Sequence, residues 1–172
     1  MDECLTERWD NAVKLKGIID EDFINYKEPC MTLEFPKCEC FKCDILNGKQ
    51  VCQNSTLATK PDIEISVDDI IQRYLNNPIT KSICCQGLEP FDTFEDLCQL
   101  IRKLRRDYKC NDTIIIYTGY TEHTLEAEII HLMCWSNIIV KFGPFLLNRP
   151  SRYDELLGVT LASDNQYAEK IS

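Results

Sequence analysis

The sequence predicts an α/β protein built on a mostly parallel sheet, and three observations carry that prediction. Short β-branched runs, such as residues 113–117 and 138–142, alternate with amphipathic helical stretches. One helical stretch falls between successive runs, the pattern of βαβ crossovers. A chain of 172 residues with 44% hydrophobic content supports one domain with an ordinary buried core.

Residues 1–13 read as a polar N-terminal extension and residues 14–172 as a single domain. Residues 15–19 and 31–35 are predicted as short strands. Residues 36–62 carry cysteines, Asn, Gly, Ser and Pro without periodicity, and a loop this long needs a function or a ligand to order it. Ser66-Val-Asp-Asp69 is a capping box with Asp in place of Glu, opening a helix through residue 76. Residues 82–85 form a short buried strand. Thr93-Phe-Glu-Asp96 opens a second helix with Phe94, Leu97, Leu100, Ile101 and Leu104 on one face. Residues 113–117 form a central strand ending near Gly119, 124–133 are helical, 138–142 form a strand and 158–161 a last short one. Ligands of such sheets bind outside the carboxyl ends of the strands. The loops after Phe35, Cys85, Tyr117 and Phe142 are therefore expected to share one rim.

Composition narrows the function classes. A net charge of −9 argues against sequence-independent binding to nucleic acid, which needs Lys and Arg to displace counterions. No apolar run reaches the roughly 20 residues that span a bilayer. The start, Met1-Asp-Glu-Cys-Leu-Thr-Glu-Arg-Trp-Asp10, lacks the pattern of a signal peptide. No nucleic-acid or membrane partner is expected, and the expected location is cytoplasmic. Eleven cysteines, an odd number without an export signal, read as free thiols rather than a disulfide framework. Cys84, Cys85, Cys98 and Cys134 sit in apolar patterns and read as packing residues. His123 and His131 read as packing or surface residues, and Lys103, Arg105 and Arg106 as a solvated helix face.

Four of the remaining seven cysteines cluster. Phe35-Pro-Lys-Cys-Glu-Cys-Phe-Lys-Cys43 holds Cys38, Cys40 and Cys43 within six residues, and Cys52 follows in Val51-Cys-Gln-Asn54. Thiolates are soft donors that suit zinc and iron–sulfur clusters. On spacing alone the group fits a metal or cluster site, a redox dithiol at Cys40 and Cys43, or unrelated thiols; the second Cys-x-x-Cys of a zinc knuckle is missing. Three further features stand at element ends. In Gln86-Gly-Leu-Glu-Pro90, Gly87 permits close backbone approach, Glu89 puts a carboxylate on the rim and Pro90 stiffens the turn. Tyr117-Thr-Gly-Tyr120 is a strand end with a glycine, and Ala162-Ser-Asp-Asn-Gln166 is a polar run after a short strand.

Taken in order with Lys141-Phe-Gly-Pro-Phe145, these motifs resemble the activating proteins of anaerobic, class III ribonucleotide reductase, within the radical S-adenosylmethionine glycyl-radical activases. The resemblance covers about residues 14–172. It implies a partial, incomplete radical-SAM-type barrel and a [4Fe–4S] cluster on three cysteines with one iron open. It implies S-adenosylmethionine as the second cofactor, cleaved reductively to methionine and a 5′-deoxyadenosyl radical that takes hydrogen from a glycine of the partner. On this resemblance Gly87, Glu89 and Pro90 receive the methionine amino group, Thr118 and Gly119 line the adenosine side, and Asn165 and Gln166 close the far rim. The implied partners are the large subunit of an anaerobic ribonucleotide reductase and an electron donor such as flavodoxin or ferredoxin.

The family's usual Cys-x-x-x-Cys-x-x-Cys does not occur, and Gln86 stands where a second glycine is usual. The implied ligand set is Cys38, Cys43 and Cys52, with Cys40 as the nearest substitute; Cys30 precedes a predicted strand and is expected to point away. The rival reading is a non-catalytic module in which four thiolates enclose zinc or a cluster.

Overall fold

A strand that is apolar on both faces must be covered on both sides, and the middle of this chain supplies four of them. The computed structural model describes residues 12–39 and 41–172. Its first elements are β1 (Ala12–Leu15), β2 (Gly17–Asp22), β3 (Cys30–Phe35), α1 (Lys42–Asn47), α2 (Ser55–Ala58), β4 (Ile63–Ser66) and α3 (Val67–Leu75). There follow β5 (Ser82–Gly87), α4 (Phe94–Arg106), β6 (Thr113–Tyr117), α5 (Glu126–Leu132) and β7 (Ile138–Phe142). The chain closes with β8 (Arg152–Asp154), β9 (Val159–Leu161) and β10 (Tyr167–Lys170).

The central sheet has the order β10-β7-β6-β5-β3-β2. Its core, β3-β5-β6-β7, is parallel, in register from Cys30 opposite Ser82 to Tyr117 opposite Lys141. Antiparallel β2 and β10 form its edges. The sheet is open, as expected of a mostly parallel α/β protein.

Side chains alternate across each strand, so the sheet has two distinct faces. Met31, Leu33, Ile83, Cys85, Ile114, Ile116 and Val140 meet Ile70, Ile71, Leu97, Leu100, Ile101, Leu104, Ile129 and Leu132 of α3, α4 and α5. The other face, with Cys30, Cys84, Ile115 and Ile139, is covered by Tyr26, Leu157 and Leu161. Cys84 and Cys85 are thus buried packing residues on opposite faces. The Ser66 hydroxyl accepts from the Asp69 N–H at 3.0 Å, which is the cap the sequence predicted for α3.

Several expectations need correction. The strand predicted over residues 15–19 is two strands. β1 leaves the central sheet to pair antiparallel with β4, Ala12 opposite Ser66, while β2 runs along β3. Lys16 marks the break, its ammonium bonded to the Lys60 carbonyl at 2.6 Å and to Asp62 at 2.7 Å. β1 begins within the stretch read as an extension, and Val13 is buried. Residues 36–62 contain α1 and α2. The strand ending at Leu161 is not the last, because β10 adds antiparallel to β7. Cys134 is exposed, because α5 stops at Leu132 and residue 134 turns outward. Cys98 is half-buried. Arg105 is buried rather than solvated: its guanidinium donates to the carbonyls of Cys110, Asp112 and Ser136 at 2.7–3.1 Å.

Gly87 fixes where β5 ends. Its φ is +103°, and a Cβ there would lie 2.7 Å from the Phe35 nitrogen and 2.8 Å from the Glu34 Cα. Both neighbours are backbone and cannot yield. Gly87→Ala should therefore lower stability by about 2 kcal/mol or more, read as a drop in the urea midpoint at unchanged slope. A change within about 0.5 kcal/mol, the range of ordinary surface substitutions, would contradict this account of the turn.

No helix among the described residues is long and apolar enough to cross a membrane.

Candidate metal centre

A parallel sheet points the carboxyl ends of its strands at one edge, and the loops that leave them surround a cavity of about 430 Å³. The expected shared rim is present: the loops after β3, β5, β6 and β7 all contribute to the wall. Cys38, Cys43 and Cys52 line this cavity together with Gly87 and Glu89. Thr118, Gly119 and Gln166 complete the predicted residues found there. Pro90 and Asn165 stand outside the lining, and Cys40 lies outside the described residues. Cys30 is buried in β3, its thiol directed to the Asp22 carbonyl at 3.7 Å, away from the cavity.

Hydrogen bonds, not apolar packing, hold the cysteine loop; α1 has no buried residue. Phe41 sits in the left-handed region at φ 38° and starts α1, which carries Cys43 in its first turn. The Asn47 amide donates to the Cys43 carbonyl at 2.6 Å and to the Phe145 carbonyl at 2.9 Å, and its oxygen accepts from the Leu147 N–H at 2.8 Å. One Asp44 oxygen accepts from the N–H groups of Val51 and Cys52, at 2.7 and 2.8 Å, folding Cys52 back over the helix. The Asn54 amide donates to the Gly87 carbonyl at 2.7 Å and ties the Val51-Cys-Gln-Asn54 motif to the turn after β5. The Phe145 N–H donates to the Cys43 sulfur at 3.3 Å.

Glu89 is 4% exposed. Its carboxylate accepts from the Gly119 N–H at 2.9 Å and the Phe91 N–H at 3.2 Å. Burial nevertheless dominates and pushes its pKa up to about 7, against the lowering effect of those bonds and of the Thr118 hydroxyl. The strand-end glycine motif and the Glu-Pro turn, separate in sequence, thus meet through this one carboxylate. Pro90 is buried and starts the single turn Pro90–Thr93. Asn165 donates to the Pro144 carbonyl at 2.8 Å, and Gln166 donates to the Gly143 carbonyl at 3.2 Å. These two side chains hold the Gly143-Pro144 turn, whose Gly143 has φ +100°.

Sequence reasoning missed Lys141 as a cavity residue. The signal was the one charge inside Ile-Ile-Val-Lys-Phe, a run otherwise buried on both faces. Asp44 and Asn47 carry no comparable signal: Asn47 works on a segment about 100 residues away, and Asp44 on N–H groups seven and eight residues on that only the fold of the loop turns toward it.

Nine of the eleven cysteines are among the described residues, and no disulfide joins them. Those residues contain no group of three or more His, Cys, Asp or Glu drawn close enough to hold a single metal ion. A cubane cluster asks for something different, because each thiolate reaches its own iron and the sulfurs stand further apart. Three thiols on the wall of one cavity fit that demand in donor type and in number. Burial holds the Cys52 thiol above its ordinary range, so metal binding there would displace a proton.

Comparison with known families matches residues 35–159 to the 4Fe-4S single cluster domain. The match runs from the end of β3 to the start of β9 and so contains the cysteine loop and the four rim loops. No curated protein matches the chain. With most of its length and the whole cysteine loop inside the match, the chain belongs to the 4Fe-4S single cluster domain family.

Proposed function

We propose that this chain is a small cytoplasmic radical S-adenosylmethionine activase, acting as one unit over residues 14–172. It would generate a glycyl radical on the large subunit of an anaerobic ribonucleotide reductase, with electrons from a flavodoxin or ferredoxin. One observation carries the reading: the buried carboxylate of Glu89 lines the same cavity as Cys38, Cys43 and Cys52. A module that merely enclosed its metal would have no use for a buried acid with a pKa near 7 beside it. The family's association with radical S-adenosylmethionine proteins supports the same reading.

When bound, the [4Fe–4S] cluster supplies the electron that breaks the sulfonium bond. The chain's own residues do the positioning. Cys38, Cys43 and Cys52 would hold three irons and leave the fourth open, with Cys40 as the nearest substitute. Asp44 and Asn47 fix Cys43 and Cys52 relative to each other. Glu89 would take the ligand's amino group: a carboxylate offers about four acceptor sites, and the Gly119, Phe91 and Thr118 donors use three. Gly87, at φ +103° and tight against the β3 backbone, sets the turn that brings Glu89 to the cavity and would offer its own backbone to that group. Thr118 and Gly119 would flank the nucleoside, while Pro90, Asn165 and Gln166 act indirectly by holding the turns that shape the wall.

The test is anaerobic. The protein is reconstituted with iron and sulfide and reduced with dithionite, S-adenosylmethionine is added, and 5′-deoxyadenosine is quantified. Formation of 5′-deoxyadenosine, absent from Cys43→Ala, is the expected result. A retained cluster that yields none, with no spectral change on adding the nucleoside, would leave a non-catalytic cluster module.

A further inference from the structure

Lys141 is a buried cation to which the proposed chemistry gives no task. It lies in β7, lines the cavity and is 6% exposed. Its ammonium donates to the Gly143 carbonyl at 2.9 Å and stands 5.8 Å from the Tyr117 ring centre. Among the described residues no carboxylate comes within ion-pair distance of it. Burial disfavours the charged form, while the anionic groups felt from across the cavity, Cys43 and Glu89, favour it.

A buried charge without a counter-charge costs folding free energy. Anchoring the Gly143 carbonyl does not explain that cost, because Gln166 already donates to the same oxygen. Glu89, beyond ion-pair distance across the cavity, compensates only in part, which leaves a place for an anion that the cavity takes up. Three thiolates on a [4Fe–4S] core leave one net negative charge in the oxidised state. One electron from a low-potential donor makes it two, with no bond made or broken and no proton moved. The same segment that carries Lys141 also directs the Phe145 N–H at the Cys43 sulfur. Net charge, hydrogen bonds to sulfur and solvent exposure are the determinants of cluster potential.

We infer that Lys141 is the charge-balancing residue of this centre: its ammonium, set in the wall shared by the three cysteines, stabilises the reduced cluster over the oxidised one. The inference rests on the cysteine assignment above and not on cleavage of S-adenosylmethionine.

The experiment is an equilibrium redox titration of reconstituted protein, with EPR reporting the reduced fraction and iron and sulfide counted in parallel. Lys141→Met removes the charge at similar volume. It should lower the ratio of reduced to oxidised cluster about tenfold at the wild-type midpoint, a downward shift of about 59 mV for one electron. Lys141→Arg should stay near wild type. Lys81→Met, which removes an exposed ammonium at the amino end of β5, opposite the cavity, should change the ratio less than about twofold. A Lys141→Met midpoint equal to or above wild type, at full cluster content, overturns the inference. So does loss of the cluster from both Lys141 variants, which would make Lys141 a structural anchor. Should Lys141→Met fail to fold, Lys141→Gln is read in the same way. A wild-type protein that takes up no cluster would instead defeat the cysteine assignment.

Discussion

Glu89→Gln should leave the cluster in place and weaken S-adenosylmethionine by about 100-fold, the scale of a buried charge-assisted hydrogen bond lost to a neutral one. The neutral amide keeps the volume and one acceptor; the Phe91 and Gly119 N–H groups bond different oxygens of Glu89, so one of them loses its acceptor at a cost of about 1 kcal/mol, which the turn tolerates. What disappears is the negative charge that would meet an ammonium. Isothermal titration of reconstituted protein reads this directly, with iron content as the control. The same variant carries a stability signature in the cluster-free protein. Burial raises the Glu89 pKa from 4.5 to about 7, so between those values the folded state binds more protons than the unfolded one. Stability from this group is therefore full below about pH 4.5 and is lost as pH rises through about 7. The loss amounts to about 3 kcal/mol. Glu89→Gln abolishes that slope, so its urea stability relative to wild type should rise from about pH 5 to about pH 8. Equal affinity for S-adenosylmethionine in the two proteins, or parallel stability curves, would remove Glu89 from the ligand site.

Removing one cluster thiolate has the second large effect. Cys43→Ala and Cys52→Ala should each fall below about one iron per chain after reconstitution and desalting, since a cluster held by two thiolates is poorly retained. Cys38→Ala is expected to behave alike. Cys30→Ala and Cys84→Ala should keep full iron, because both thiols face the interior of the sheet away from the cavity. Cys40→Ala should also keep it. If Cys52→Ala retained full iron and sulfide while Cys40→Ala lost them, the ligand set would be the compact one, Cys38, Cys40 and Cys43.

The parts of the fold legible in the sequence are those where local pattern and tertiary demand agree. Thr113–Tyr117 and Ile138–Phe142 are buried on both faces, and their unbroken apolar runs gave their bounds. The capped helix α3 and the one-sided helix α4 were equally plain. The elements missed are those held by partners. β4 (Ile63–Ser66) is half exposed and exists because β1 pairs with it; β10 (Tyr167–Lys170) has weak strand propensity and is defined by the free edge of β7. α1 buries nothing and is fixed by Asn47 and Asp44. Arg105 reads as surface because its carbonyl partners lie in turns, Cys110 and Asp112 just after α4 and Ser136 31 residues on, that the helical pattern does not encode.

The candidate site divides in the same way. The cysteines, Gly87 and Glu89 were visible as motifs at strand ends, where a parallel sheet gathers its loops. Their joining by Asn54, Asp44 and the Glu89 carboxylate was not, because each link spans segments distant in sequence or depends on a turn that sequence pattern does not encode.

On the proposed function, three cysteines hold a cluster with one iron open to S-adenosylmethionine. The EPR spectrum of the reduced, reconstituted protein, recorded without and with saturating S-adenosylmethionine, tests it most directly. A change in the g values on adding the ligand, absent from Glu89→Gln, is the predicted result. An identical spectrum in both samples, from protein with a full complement of iron and sulfide, would contradict it.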